Sequence, residues 1–326
     1  MVTIHFTGIY KEQIESFIDL KRKCGFKYNT EEKIMSLFDR ITVERNEQDV
    51  VISKDLAREW SKLRPNESDA YRYKRCITLN QFAAYLSQQD HESARSYAPK
   101  PQKTFIPHIY SQDEIGRILS ACDNMVCIPI KHDSVGFVMP ALIRFLLSTG
   151  VRISEALNLR DCDIKMEHRV VILRDTKNSK ERLLPFSETT ETVLRQYRQH
   201  RERLNPTPHS DKFFVTARGR CCNSEQIYKV FRKISAKAGI PFKGNHYGPR
   251  VHDLRHTFAV KSLLQMAEYG MDIYCSLPIL STYLGHQSIE ATNNYVRLTA
   301  EMYPHLVQNM DAVFTNVYPC LQNEDN

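Results

Sequence analysis

Between Ser87 and Tyr110 the helical patterning of the chain breaks down. Pro99, Pro101 and Pro107 alternate there with Lys100 and Lys103. Proline locks φ and pushes the residue before it toward extended backbone, so this segment is an extended basic strap rather than a helix. Such a break divides the chain into two domains, expected over 1–86 and 111–326, with 87–110 joining them. The 326 residues are enough for two domains with a sizeable core. A strap also lets two domains close around an elongated ligand, although a plain connector could have the same composition.

Before the strap the apolar residues recur at helical intervals. A first helix is expected over 11–24, with Ile14, Phe17, Ile18 and Leu20 inward and Gly25 as its stop. A second starts at Asn29, where Asn29 and Glu32 have capping-box spacing, and carries Ile34, Leu37, Phe38 and Ile41. Ser53 can cap a third with Leu56, Trp60 and Leu63 inward, ended by Pro65. A fourth runs from about Ser68 to Leu86, turning Tyr71, Cys76, Leu79, Phe82 and Leu86 at least partly inward. The positions expected outside include Lys21, Arg22, Lys23, Lys62, Arg64, Arg72, Lys74 and Arg75. They form either a solvated face or a surface for phosphates.

The formal net charge of +7 is compatible with a polyanionic partner but too small to identify one. The nine cysteines are scattered without a Cys-x-x-Cys pair, and the adjacent Cys221 and Cys222 are poorly spaced for tetrahedral zinc. Reduced thiols in a cytoplasmic protein fit this usage. Met1 to Tyr10 lacks the apolar run of a signal peptide. No stretch approaches the roughly 18 apolar residues of a membrane span.

After the strap, Ser111-Gln112-Asp113-Glu114 is a capping box, with Ile115, Ile118 and Leu119 behind it. A largely apolar helix follows over about Val135–Ser148, stopped by Gly150. Arg152 then stands at the start of the next helix, where anions are favoured and a guanidinium can hold phosphate through two parallel bonds. A surface pair with Glu155 is the alternative use of that arginine. Two strands, Arg169–Leu173 and Arg182–Phe186, flank a polar turn from Asp175 to Lys180. Lys177 and Lys180 can both reach a ligand from such a tip. Further helices are expected over Glu188–Leu204 and Ser224–Ala238, with a short strand at Phe213–Thr216 between them. The second of these helices carries a basic face of Lys229, Arg232, Lys233 and Lys237. The fold class is therefore mainly α with a small β-sheet or hairpin (α+β).

The densest chemistry lies between His252 and Tyr295. It opens with His252-Asp253-Leu254-Arg255-His256-Thr257-Phe258-Ala259 and closes with Leu284-Gly285-His286 and Asn294-Tyr295. His252 and Arg255, at i and i+3, share one helix face. Between Phe258 and Leu284 the segment Glu268 to Ile273 extends a helix and adds a turn.

Four of these stretches, in this order, make the second domain resemble the catalytic domain of the tyrosine recombinases, the phage integrase family. They are Thr149 to Leu157 with Arg152, Lys177 to Pro185, His252 to Ala259, and Leu284-Gly285-His286 with Tyr295 nine residues after His286. The resemblance covers about 105–305. The N-terminal helices fit the family's core-binding domain by position and class only. The family implies a C-shaped clamp on double-stranded DNA.

It also implies the roles. Tyr295 attacks the scissile phosphate, giving a 3′-phosphotyrosyl link and a free 5′-hydroxyl. Arg152 and Arg255 hold the non-bridging oxygens, and Lys177 protonates the departing 5′-oxygen, with Lys180 as the competing residue. His252 assists proton transfer or phosphate binding, and His286 bonds to the phosphate. His256 is assigned to structure, and Tyr283 and Tyr303 lack the right spacing from His286. A tyrosine with a pKa near 10 needs help to ionise, which surrounding cations are expected to give. The transesterification conserves bond energy, so neither ATP, a metal nor any other cofactor is implied. The family further implies a homotetramer on two DNA sites, with companion recombinases or directionality factors as further partners, acting in the cytoplasm at the nucleoid. Leu306, Val307, Met310, Val313, Phe314 and Val317 give 300–320 the stripe of an amphipathic helix that packs on its own domain or docks on a neighbouring protomer. The expected function is an integrase or transposase of a mobile element. A non-catalytic DNA-binding regulator and a type IB-like topoisomerase are the alternatives.

Overall fold

The computed structural model describes residues 4–101, 106–126, 135–174, 181–204, 210–244, 248–286 and 288–302. The chain forms two compact units, Met1–Thr104 and Phe105–Asn326.

The first unit holds four helices, α1 (Lys11–Lys23), α2 (Asn29–Glu44), α3 (Lys54–Ser61) and α4 (Asp69–Ser87). Ser53 and Ser68 cap α3 and α4 as expected, their hydroxyls accepting from the backbone N–H of Leu56 and Tyr71. The core is aromatic, with Phe38 packed edge-on against Trp60 and tilted against Tyr10. Asn29 does not cap α2. Tyr28 occupies that position in the left-handed region, and Glu32 pairs with Arg22 at 2.7 Å instead. Leu20 and Leu63 are exposed rather than inward, and Leu63 lies past the end of α3.

Arg75 is the clearest departure. It is fully buried, not exposed. Its guanidinium donates to the Trp60 and Lys62 carbonyls and to the Glu67 carboxylate, and it lies over the Trp60 ring. It therefore holds the end of α3 and the following turn against α4. The strap also has more structure than expected. Ser96 and Ala98 are buried on the first unit, Asn80 and Ser96 bond to each other, and Ala94 N–H donates to the Ile52 carbonyl.

The second unit begins with α5 (Gln112–Val126), started by the capping box of Ser111 and Glu114 in both directions. The apolar helix expected over 135–148 starts as one 3₁₀ turn and continues as α6 (Met139–Thr149), with Pro140 in its first turn. α6 is buried along most of its length, and Gly150 ends it with φ +60°. A methyl group there would meet the Phe258 ring at 2.3 Å, so glycine is required by both backbone and space. Next come α7 (Ile153–Asn158) and an antiparallel sheet of β1 (Ile164–Lys165), β2 (Val170–Leu173) and β3 (Arg182–Pro185) in that order. Val171 pairs with Ile164 on one side and Leu184 on the other, and Leu173 pairs with Arg182. The sheet confirms a mainly α fold with a small β element.

α8 (Glu188–Leu204) and α9 (Ser224–Lys237) follow. The strand expected at Phe213–Thr216 is absent. The chain makes isolated bridges there, Arg160 with Lys212 and Val215 with Cys221, and Phe213 and Phe214 are both buried, which an alternating strand would not allow. The last three helices, α10 (Asp253–Glu268), α11 (Ile273–Leu284) and α12 (Ile289–Met302), form a sub-core that includes Val260, Leu263, Leu280 and Leu298. The Glu268–Ile273 segment ends α10, turns at Gly270 with φ +79°, and caps α11 through Asp272. Lys177, Lys180 and the rest of the 175–180 turn lie outside the described residues, as does the amphipathic helix expected over 300–320 beyond Met302. Among the described residues no helix is long and apolar enough to cross a membrane.

Candidate active site

The site is built where the C-terminal ends of α6 and α11 approach α10. Arg255, on the first turn of α10, is buried, and its guanidinium donates to the Gly150 carbonyl and the Leu284 carbonyl, both at 2.8 Å. These acceptors belong to two helix C-termini, where unpaired carbonyls carry partial negative charge. They satisfy a buried cation and fix its plane. Arg152 immediately precedes α7, where the Glu155 carboxylate accepts from its backbone N–H, and its guanidinium donates to the Gly285 carbonyl at 3.3 Å, one residue further along. Both arginines are thereby tied to the end of α11.

Arg152 also makes the pair with Glu155 that the sequence offered as its alternative, at 2.9 Å. The pair is part of something larger. The Glu155 side chain is 4% exposed and is shared by Arg152 and Arg182, which donates to both carboxylate oxygens at 3.1 and 3.0 Å. Burial alone would raise the Glu155 pKa. The Arg182 bonds, the Arg152 N–H and the two positive charges outweigh it and hold the carboxylate below its usual range. Arg182 donates as well to the Tyr283 carbonyl at 3.1 Å. A methyl group on Gly285 would meet this guanidinium at 2.6 Å, so the left-handed glycine that ends α11 also makes room for it. Arg182 is the first residue of β3 and thus ties that strand to the site.

Two imidazoles, His256 and His286, stand against Tyr295, and His252 packs on His256. His252 and His256 lie one turn apart on the same side of α10 as Arg255, their rings perpendicular at 4.9 Å. His286 follows Gly285 and stacks on the Tyr295 ring at 6.0 Å between centroids. Its Nδ1 lies 2.7 Å from Thr292 Oγ1, which orients the ring. Tyr295, 3% exposed on α12, places its hydroxyl 3.1 Å from His256 Nδ1.

The arginines and burial together shape the titration of these groups. The His286 pKa is lowered to about 4 by burial, then by Arg255, Arg152 and Arg182. Burial lowers the His256 pKa to about 3, with His252, Arg250, Arg255 and His286 adding to the effect. His252 is lowered to about 4 by burial and then by Arg255, Arg250 and Arg152. Its ring reaches the surface, so the arginine charges are the firmer cause there. Arg255 itself is lowered to about 10 by burial and by Arg152. The cations do make Tyr295 easier to ionise, as expected, but burial outweighs them. Burial raises its pKa, and Arg255 and Arg152 only partly offset that. The phenol is held protonated in the absence of DNA.

The structure thus brings Arg152, His252, Arg255, His286 and Tyr295 together from α6, α7, α10, α11 and α12 and their ends. Lys177 lies outside the described residues. Sequence reasoning gave no role to Arg182 and set His256 aside. The signal for His256 was present, since it stands four residues from His252 on one helix face. The signal for Arg182 was weaker, a single arginine at the start of a strand.

Residues 109–302, more than half of the chain, match the model of the phage integrase family. A protein of Sinorhizobium fredii (strain NBRC 101917 / NGR234) named as an integrase/recombinase is 28% identical over 306 residues, 93% of this chain and 97% of that one. Tyrosine recombinase XerC of Oceanobacillus iheyensis is 28% identical over 235 residues, 70% of each chain. Among solved structures, the XerH site-specific recombinase in a post-cleavage complex with palindromic difH substrate aligns with a TM-score of 0.61 at 21% identity, over 87% of this chain and 79% of that one. A lambda integrase tetramer bound to a Holliday junction aligns with a TM-score of 0.60 at 14% identity, over 87% and 76%. At these identities the structures show a common fold. The matched region contains every residue of the site described above, and the chain belongs to the phage integrase family, the tyrosine recombinases.

Proposed function

We propose that this chain is a site-specific recombinase that cuts and rejoins double-stranded DNA through a 3′-phosphotyrosyl link to Tyr295. The observation that carries this is the convergence on one buried phenol of two anchored arginines and two imidazoles, His256 and His286, with His252 packed on His256. Arg152 and Arg255 hold the non-bridging oxygens of the scissile phosphate and stabilise charge in the transition state. Their anchoring on helix-end carbonyls keeps them aimed, so little reorganisation is needed when the phosphate arrives. His286 bonds to the phosphate, and His252 assists proton transfer or phosphate binding. Lys177 protonates the departing 5′-oxygen, and Arg182, at the base of that turn, supports the assignment by fixing β3 beside the site. The phosphotyrosyl bond retains the energy of the phosphodiester, so the reaction requires neither ATP nor a metal.

The names of the relatives and neighbours support a role in integration or transposition of a mobile element, and the lambda integrase tetramer supports a tetramer of this chain on two DNA sites. The test uses a duplex selected by the protein from a random pool and nicked beside the cleavage position, so that the freed strand diffuses away. Wild type becomes covalently attached, while Tyr295→Phe binds without attachment. Attachment by Tyr295→Phe at the wild-type rate sinks the assignment. Lys177→Ala and Lys180→Ala are compared on the same duplex with sulfur in place of the bridging 5′-oxygen. A thiolate leaves without protonation, so only the variant lacking the acid regains its rate.

A further inference from the structure

We propose that His256 is a catalytic residue, the group that accepts the phenolic proton of Tyr295 as the nucleophile attacks. The inference rests on the reading of Tyr295 as the nucleophile, and it gives a chemical role to a residue that sequence reasoning assigned to structure.

The geometry singles out one imidazole of three. His256 Nδ1 is 3.1 Å from the Tyr295 hydroxyl, a hydrogen-bond distance. His286 presents its ring face to Tyr295, and its own Nδ1 is engaged with Thr292. His252 is edge-on to His256. Among these three imidazoles, then, the nitrogen directed at the phenol is that of His256, while the Arg255 guanidinium bonds to the same hydroxyl as a donor. A neutral imidazole has one acceptor nitrogen. Burial, and then His252, Arg250, Arg255 and His286 around it, keep the ring neutral, and in the tautomer protonated on Nε2 its Nδ1 accepts from the phenol. Tyr295, in turn, is protonated by burial despite Arg255 and Arg152, so attack needs a base. A bound phosphate brings negative charge among these cations. That makes His256 more basic when the substrate is in place, which ties proton removal to DNA binding.

The step balances. The bond from Tyr295 Oη to phosphorus forms and the bond from phosphorus to the 5′-oxygen breaks. The phenolic proton passes to His256 Nδ1, and the 5′-oxygen takes a proton from the acid assigned to Lys177. On rejoining, the 5′-hydroxyl attacks phosphorus and gives its proton to that acid. Tyr295 Oη leaves and recovers its proton from His256.

The test measures covalent attachment to the nicked duplex as a function of pH, with the oxygen and the 5′-sulfur substrates. His256→Asn keeps an amide near the Nδ1 position that can hold the phenol but cannot take its proton. Attachment is expected to slow by about 10²- to 10⁴-fold, the usual range for loss of a general base. The loss persists with the sulfur substrate, because the defect is on the nucleophile side. The variant's rate rises about tenfold per pH unit as hydroxide replaces the base, since each unit is a tenfold change in ionised phenol. His256→Ala is expected to recover part of its rate with added imidazole. DNA binding measured alongside reports that each variant is folded. A near wild-type rate for His256→Asn, an unchanged pH profile, or full rescue by sulfur overturns the proposal. Attachment by Tyr295→Phe in the same series overturns the reading of Tyr295 instead, so the two failures are distinguishable.

Discussion

Arg182→Gln probes how the site is held together. The change removes two bonds to the buried Glu155 carboxylate, at 3.1 and 3.0 Å, and one to the Tyr283 carbonyl at 3.1 Å. Stranding a buried charge costs about 3–5 kcal/mol when no partner remains. Here Arg152 still donates to Glu155 from its guanidinium at 2.9 Å and from its backbone N–H at 3.0 Å. The expected loss is therefore about 2–3 kcal/mol, near the value of hydrogen bonds to a charged group. Adding Glu155→Gln removes the stranded charge, so the double variant should lose less than the sum of the singles, by about 1–3 kcal/mol. Urea unfolding followed by far-UV circular dichroism measures this. The chain has one tryptophan, Trp60, in the core of the first unit, so its fluorescence provides a control transition that should not move. The pH dependence has a definite sign. A carboxylate with a depressed folded pKa stabilises above its unfolded value of about 4.3 and loses that contribution as pH falls through the folded value. The gap between wild type and Arg182→Gln should be widest near neutrality and close below about pH 4. Covalent attachment should also slow, on the order of tenfold to a hundredfold, because Arg152 and the end of α11 lose a shared anchor. Additive single variants, with a stability gap that ignores pH, would refute the reasoning.

Three further outcomes follow from particular contacts. Arg75→Met leaves Glu67, which is 5% exposed, without its guanidinium, and should lower the Trp60 fluorescence transition by about 3 kcal/mol while sparing the second unit. Gly150→Ala adds about 1–2 kcal/mol of left-handed backbone strain and displaces Phe258, and since the Gly150 carbonyl holds Arg255, thermal stability and attachment rate should fall together. In DNA-free protein, NMR titration of His252, His256 and His286 should give midpoints well below the ordinary 6.5, with the rings neutral from pH 6 to 8. These histidines bind protons more readily when unfolded, so their contribution to stability falls as pH drops below about 6.5 toward the folded values.

Much of the architecture is local physics and is therefore legible in the residues. Ser53, Ser68 and Ser111 cap because a short hydroxyl reaches the free N–H groups of the next turn, and Gly150 stops α6 because it takes a positive φ without strain. The same reasoning fails where the partner is distant or the signal is short. β1 is two residues long and has no pattern to find. Phe213 and Phe214 resemble strand residues by type, yet both are buried in one core. Arg75 looks like any surface arginine until α3 and α4 bring Trp60 and Glu67 around it. The residues of the site were readable one by one, but their mutual anchoring was not. Arg255 depends on carbonyls of Gly150 and Leu284, and backbone acceptors leave no trace in residue identity. The net direction of the Tyr295 shift was not legible for a related reason, since the cations could be counted but the burial could not.

The central claim is that Tyr295 becomes the covalent attachment point for DNA. Trapping the protein on the nicked duplex, digesting the DNA and protein, and sequencing the modified peptide by mass spectrometry tests this most directly. The expected result is a nucleotide joined through its 3′-phosphate to Tyr295, in a peptide from α12. A nucleotide on Tyr283, Tyr303 or any other side chain, with Tyr295 unmodified, would contradict it.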